Sequence, residues 1–183
     1  SQTLNMHFQE SRNGMHNGIE FLLKWEDQTQ KDQKIVAAYR TALKCVNDVN
    51  QLHNSLLKSS ELLDGISILL TNNPKEVLES YDKMYVKHLP PQSQKFISAC
   101  SKITGSLEES KEELKGAITD FLNEILPENF QFNVDIWTGD FNERDERNRT
   151  HEMCEDLSPD YIMSVDSDEI FEDRLTKKHI QRI

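Results

Sequence analysis

Cysteine is scarce in this chain of 183 residues, which contains only Cys45, Cys100 and Cys154. The three are far apart and odd in number, and none forms a CxxC pair. A disulfide framework and a structural cysteine–zinc site are therefore not indicated. Because this cysteine usage is typical of a reducing compartment, we expect a cytoplasmic location.

Glycine and proline are also scarce, with 6 and 5 residues, which excludes a collagen-like or linker protein. No apolar run approaches the roughly 18–20 residues that a membrane-spanning helix needs. The sequence therefore predicts no membrane span. A chain of this length is expected to form about one folded domain, with room for an appendage.

Basic residues are outnumbered, with 21 Lys and Arg against 32 Asp and Glu, for a net charge of −11. This balance argues against a nucleic-acid or anionic-lipid partner, whose phosphates attract positive charge. The acid is concentrated, because 13 acidic residues and only 4 arginines lie between Gly139 and Leu175. Such a segment is compatible both with a divalent-cation site and with a solvated acidic surface.

The first third of the chain has a helical pattern. Apolar and small residues recur at 3-4 spacing from Tyr39 to Leu63, which predicts a helix over that range. We expect residues 1–63 to form a helical appendage or the end of a preceding domain. Two further helices are predicted, over Lys75–His88 after an Asn-Pro start, and over Ser106–Leu126, where Ser106 and Glu109 match a capping box.

Strand patterns follow in the second half. Phe130–Trp137 alternates apolar and polar residues, which predicts a strand. Tyr161–Val165 is a compact apolar run leading into acid, and we interpret it as a buried parallel strand. For two other apolar runs, Ile66–Leu70 and Lys95–Ser101, periodicity leaves strand and helix open.

Three acidic residues, Asp166, Asp168 and Glu169, follow the predicted strand Tyr161–Val165 directly. In a parallel sheet, the carboxyl ends of the strands form the edge where ligands bind. Two carboxylates at i and i+2 could share a hard divalent cation with a phosphate ligand. A solvated acidic turn explains the same three residues when they are considered alone.

The surrounding residues favour the cation site. The segments FNERDERNR (141–149) and PDYIMSVDSDE (159–169) closely resemble the family 2 glycosyltransferases of the GT-A fold. The resemblance implies an α/β domain with a mostly parallel sheet and flanking helices. It also implies that Asp166 and Asp168 hold Mn²⁺ or Mg²⁺, and that Arg147, Arg144 and Asp166 bind the diphosphate of a nucleoside-diphosphate sugar. The acceptor, whether glycan, protein or lipid, is not specified.

The resemblance extends upstream over residues 66–136 and does not include residues 1–63. It implies that Ile66–Leu70 is the first strand, followed by a nucleotide loop with Thr71 and Asn73. It implies that Phe96–Ser101 is the second strand, although the acidic residue with which the family closes that strand is replaced near Cys100. The family's catalytic base would lie downstream of residue 183. We therefore expect residues 64–183 to be the nucleotide-sugar-binding part of the domain.

Two alternatives use the same residues differently. Residues 1–126 could be an all-helical bundle that binds a partner, with an acidic C-terminal segment and no catalysis. A glycoside hydrolase with paired carboxylates is a poorer match, because its two carboxylates lie at least about 5 Å apart on separate elements.

Overall fold

The structure is a computed structural model and describes residues 33–75, 77 and 83–181. In this part of the chain, helices flank one four-stranded sheet. The strands are β1 (Ile35–Thr41), β2 (Gly65–Leu70), β3 (Gln131–Ile136) and β4 (Tyr161–Val165). The helices are α1 (Val46–Leu62), α2 (Lys83–Val86), α3 (Pro91–Ser101), α4 (Lys111–Ile125), α5 (Glu143–Glu155) and α6 (Lys177–Ile180).

All the strand pairs are parallel, and the strand order is β3-β2-β1-β4. In the central strand β1, Ala38 pairs with Ser67 of β2 on one side and with Ser164 of β4 on the other. After β3 the chain returns to the opposite side of β1 to form β4. The expected α/β class, with a parallel sheet and flanking helices, is confirmed at this level.

The prediction of one helix over Tyr39–Leu63 is wrong in its first part. Tyr39 lies in β1, and the helix α1 begins only at Val46. Six of the seven residues of β1 are buried. A strand covered on both faces has a continuous apolar run rather than an alternating one, and the chance spacing of Tyr39 and Ala42 extended the true pattern of α1 backwards.

The position of β1 also changes the predicted domain organisation. Because β1 pairs with both β2 and β4, residues 35–62 are part of the sheet domain and not of an appendage. An all-helical bundle over 1–126 is likewise wrong for the described residues, since β1 and β2 are strands. The predictions for residues 1–32 lie outside the described residues.

The two ambiguous runs have different structures. Ile66–Leu70 lies in the fully buried strand β2, the second strand and not the first. Phe96–Ser101 lies in helix α3 and not in a strand. In α3 only Ser93, Phe96, Ile97 and Cys100 are buried, which is the spacing of one helical face, and Pro91 occupies its first turn.

The two strands predicted in the second half, β3 and β4, are confirmed. β4, however, is not a buried strand, because Tyr161 is 58% exposed and Ser164 is also exposed. The reason is its position at the edge of the described sheet, where only β1 pairs with it.

Helices cover both faces of the sheet. On one face α1, α3 and α4 pack over the main core, which includes Tyr39 and Ile68. On the other face α5 lies over the small side chains of Ala38 and Ser67, which let the helix approach closely. The two buried clusters, one on each face, are therefore both formed between helices and the sheet.

The remaining helix predictions are confirmed in part. α4 begins at Lys111, five residues later than predicted. The bonds expected for the capping box do form, between Ser106 and Glu109, but they close the turn that precedes the helix. Of the predicted helix Lys75–His88, Lys75 and Val77 are helical and Lys83–Val86 forms α2, whereas residues 76 and 78–82 lie outside the described part. No helix in the described ranges has both the length and the apolar character to cross a bilayer.

Candidate functional site

The change of strand order between β1 and β4 marks the candidate site. In open parallel sheets, ligands bind in the crevice at the carboxyl ends of the strands where the order reverses. A cavity of about 20 Å³ lies at this point of the sheet. β1, α5, β4 and the residue after β4 line it, with Ala38, Arg40, Arg147, Thr150, His151, Ser164, Val165 and Asp166.

The cavity brings together two residues that the sequence assigned to the donor diphosphate, Arg147 and Asp166. Arg147 lies on the second turn of α5, whose first residue is Glu143. Its Nε and Nη2 donate hydrogen bonds of 3.2 and 2.9 Å to Oε1 of Glu143. The guanidinium of Arg147 is thus oriented by a carboxylate of its own helix.

Arg40 is a second arginine of the cavity, and sequence reasoning missed it. It follows Tyr39 near the carboxyl end of β1, and its Nη2 lies 3.5 Å from Oε1 of Glu143. Its Nη1 lies 3.9 Å from Oε1 of Glu146 and makes no hydrogen bond within the described residues. The apolar run Ile35–Tyr39 was the signal that could have placed Arg40 at a strand end.

Glu146 is a buried acidic partner of Arg40 and is held in place by a hydrogen bond. Its side chain is only 2% exposed, and its Oε2 accepts a 2.8 Å hydrogen bond from the backbone N–H of Asn142. Asn142 caps α5 in turn, because its side chain accepts a hydrogen bond from the N–H of Asp145. The start of α5 is therefore held to Arg40 by a buried carboxylate.

The acidic turn after β4 is closed by two hydrogen bonds between its ends. The N–H of Glu169 donates to the carbonyl of Asp166 at 2.9 Å. The N–H of Asp166 donates to Oε1 of Glu169, also at 2.9 Å. Asp166 and Asp168 are both exposed on this turn, and of the two only Asp166 lines the cavity.

These carboxylates fit a hard cation only in part. Within the described residues, no three His, Cys, Asp or Glu side chains are grouped so that they could hold a metal ion. Asp166 and Asp168 offer carboxylate oxygens, the ligand type that Mg²⁺ and Mn²⁺ prefer. Such a cation would take its other ligands from phosphate oxygens and water, as Mg²⁺ usually does in nucleotide sites.

The other three predicted site residues are placed differently. Arg144 is exposed and does not line the cavity. Thr71 follows β2, and both its N–H and its hydroxyl donate to the carbonyl of Thr41, at 2.8 and 3.2 Å. Asn73 accepts a 3.2 Å hydrogen bond from the N–H of Lys75. Thr71 and Asn73 thus stabilise the loop after β2, and neither lines a described cavity.

A larger groove of about 510 Å³ opens beside the first turn of α1. Because α1 follows β1, this groove lies at the same edge of the sheet as the crevice. Its lining is mixed, with the rings of Tyr85 and His88 and the amides of Asn47 and Asn50 among its residues. Sequence reasoning missed this groove, because its walls come from segments that are distant in the chain.

Outside the crevice and the groove, a cluster of ion pairs surrounds Asp135 on β3. The carboxylate of Asp135 contacts Arg149 at 3.0 Å, Lys111 at 3.4 Å and Lys115 at 4.0 Å. Partial burial acts to raise the pKa of Asp135, but the N–H of Ile136 together with Arg149 and Lys111 holds this pKa below its ordinary value. The group joins α4, α5 and β3 electrostatically.

The fold and the crevice define a parallel α/β domain with a candidate anion site. Comparison with protein-family models, curated proteins and solved structures finds no match to this chain. The case for function therefore rests on the residues of the crevice.

Proposed function

We propose that this chain is the donor-binding part of a metal-dependent glycosyltransferase of the GT-A type, similar to family 2. It would bind a nucleoside-diphosphate sugar whose sugar is transferred to an acceptor. One observation carries the proposal: Arg147 and Asp166, from the two segments that resemble the family, line one crevice at the carboxyl ends of β1 and β4.

The charges of the crevice suit a diphosphate. Arg40 and Arg147 each present a planar guanidinium, which can donate two parallel hydrogen bonds to phosphate oxygens. A divalent cation at Asp166 and Asp168 would neutralise the negative charge that develops on the leaving diphosphate. Charge stabilisation of this kind, in a preorganised site, is usually the largest contribution to catalysis.

The groove at the start of α1 supports the same proposal. Tyr85 and His88 offer rings against which a nucleobase could stack, and Asn47 and Asn50 offer amides for its polar edge. The groove beside α1 and the crevice beneath α5 lie at the same edge of the sheet, on its two opposite faces. A nucleoside diphosphate bound across this edge would use both.

Arg144 and Arg147 on α5 provide a test with an internal control. We expect the dissociation constant of a nucleoside diphosphate, measured calorimetrically with Mn²⁺, to rise about tenfold or more in Arg147→Ala, because a charge-assisted hydrogen bond is lost. Arg144→Ala removes the same charge from the same helix outside the cavity, and should change the constant less than twofold. Equal effects of the two variants, or no binding by the unaltered chain across the common nucleoside diphosphates, would contradict the proposal.

A further inference from the structure

One carboxylate oxygen beside the crevice is shared by the two arginines that line it. Oε1 of Glu143 accepts hydrogen bonds of 3.2 and 2.9 Å from Arg147 and lies 3.5 Å from Nη2 of Arg40. These two guanidinium groups are the ones that line the cavity. The Glu143 carboxylate therefore pairs with the same two guanidinium groups that an anionic ligand in the cavity would contact.

The size of the cavity supports this description. Its volume of about 20 Å³ is room for roughly one water molecule, and a phosphate group is larger. A phosphate that binds both arginines therefore competes with the Glu143 carboxylate for their guanidinium groups. Binding is thus an exchange of one anion for another.

The two glutamates at the start of α5 differ in their freedom to leave. The Glu143 side chain is 55% exposed, so it can rotate into solvent. Glu146 is 2% exposed and is tied to the N–H of Asn142. Arg40 would keep Glu146 as a partner after Glu143 has moved, so the exchange leaves no buried charge unpaired.

We propose that Glu143 is the resident counter-ion of a phosphate subsite formed by Arg40 and Arg147, and that ligand phosphate displaces it. This inference rests on the proposed function and adds that the Glu143 carboxylate and the ligand compete for the same two arginines. A carboxylate carries one negative charge, whereas a diphosphate group carries at least two, so a diphosphate ligand can outcompete Glu143 and a monocarboxylate ligand has little advantage. Glu143 would thereby favour diphosphates over weaker anions.

The test is calorimetric titration of inorganic pyrophosphate, at low ionic strength, into protein freed of divalent cations on a chelating resin. Glu143→Gln keeps the side chain's size and removes its charge. We expect it to bind pyrophosphate roughly fivefold tighter than the unaltered chain, because a repelling and competing charge is gone. The gain should disappear in the double variant Glu143→Gln/Arg147→Ala.

Glu152→Gln is the matched control. Glu152 lies on the same helix and pairs with Arg149 at 3.4 Å, but it does not line the cavity. Its loss should leave pyrophosphate binding unchanged. Circular dichroism verifies that each variant retains the fold.

The outcomes separate this inference from the proposed function. Unchanged or weaker pyrophosphate binding by Glu143→Gln, or an equal gain in Glu152→Gln, overturns the role of Glu143. So does an absence of pyrophosphate binding in both the unaltered chain and Glu143→Gln. If a nucleoside diphosphate still binds with Mn²⁺ in that case, the proposed function stands, and if it does not, both fail.

Discussion

The hydroxyl of Ser55 on α1 donates a 2.6 Å hydrogen bond to the main-chain carbonyl of Glu169, the last residue of the acidic turn. Ser55 is buried and also bonds the hydroxyl of Tyr39, at 2.8 Å. Tyr39 precedes Arg40 on β1. A buried polar chain therefore connects the strand that carries Arg40 to the turn that carries Asp166 and Asp168.

This contact predicts that Ser55→Ala weakens metal binding. Without the bond to Glu169 the turn is less well held, and loss of such an outer partner typically costs a metal site about tenfold in affinity. Mn²⁺ binding in the presence of pyrophosphate, followed by electron paramagnetic resonance, measures the effect.

Ser59→Ala separates positioning from stability. Ser59 is also buried and bonds the Tyr39 hydroxyl at 2.6 Å, but no hydrogen bond of the described residues joins it to the acidic turn. Both variants should lose about 1 kcal/mol of unfolding free energy, the usual contribution of a buried hydrogen bond. Only Ser55→Ala should lower the Mn²⁺ affinity, and an equal loss in Ser59→Ala would refute the positioning role.

Replacement of Arg40 should destabilise the fold through its buried partner. In Arg40→Met the carboxylate of Glu146 stays buried and loses its only cation among the described contacts, which costs about 1–3 kcal/mol. Urea unfolding at pH 7 gives this value. The double variant Arg40→Met/Glu146→Gln should recover part of the loss, and strict additivity of the two single changes would show that the pair is not coupled.

Asp135 should contribute stability that depends on pH. Because its pKa in the folded chain lies below the ordinary value of 3.8, its stabilising effect is present above that pH and is lost as the pH falls below it. Asp135→Asn should therefore reduce the unfolding free energy by about 1 kcal/mol at pH 7, with allowance for solvent screening. At pH 3 the difference between the variant and the unaltered chain should shrink.

Glu124→Gln is the control for Asp135. It breaks the exposed ion pair of Lys95 and Glu124 on α3 and α4, and should leave the unfolding free energy at pH 7 nearly unchanged, because solvent screens the pair. A loss for Asp135→Asn that is equally large at pH 3 and pH 7 would contradict the electrostatic explanation.

Two glycines should respond oppositely to alanine. Gly116 is exposed in the middle of α4, where an added Cβ meets nothing within 4 Å, so Gly116→Ala should stabilise by about 0.5–1 kcal/mol. Gly105 has φ of 104°, and an added Cβ would lie 2.8 Å from Oε2 of Glu109, so Gly105→Ala should destabilise. Thermal unfolding of both variants checks the signs, and the same sign for both would be inconsistent with the described backbone.

The strands were predictable from the sequence where the spacing of their apolar residues matches the faces that are buried in the fold. Half-exposed β3 alternates, and the run Tyr161–Val165 leads into its acidic turn, so both strands and the position of Asp166 were predictable. The run KFISACS, which lies in α3, was ambiguous because it is short. Seven residues do not distinguish a helix with one buried face from a strand buried on both faces. The difference lies in packing against α1 and α4, which a short run does not encode.

The strand β1 and Arg40 were not predictable for a physical reason. A strand buried on both faces has no period-2 signal, and the pattern of α1 happened to continue into it. Arg40 is recognisable as a site residue only from its ion pairs with Glu143 and Glu146. Both glutamates lie on a helix about a hundred residues later in the chain, so the sequence around Arg40 does not indicate them. Thr71 and Asn73 were assigned to a nucleotide loop by resemblance. In the structure both form hydrogen bonds within the loop region after β2.

We propose that Asp166 and Asp168 hold a cation that helps to bind a nucleoside diphosphate. The most direct measurement is calorimetric titration of nucleoside diphosphates into the unaltered chain and Asp166→Asn/Asp168→Asn, with and without Mn²⁺. Asp173→Asn, an exposed change in the same acidic segment, is the control. We predict that binding depends on Mn²⁺ in the unaltered chain and in Asp173→Asn and is lost in the double variant. Mn²⁺-independent binding that survives the double variant would show that Asp166 and Asp168 hold no cation needed for the ligand.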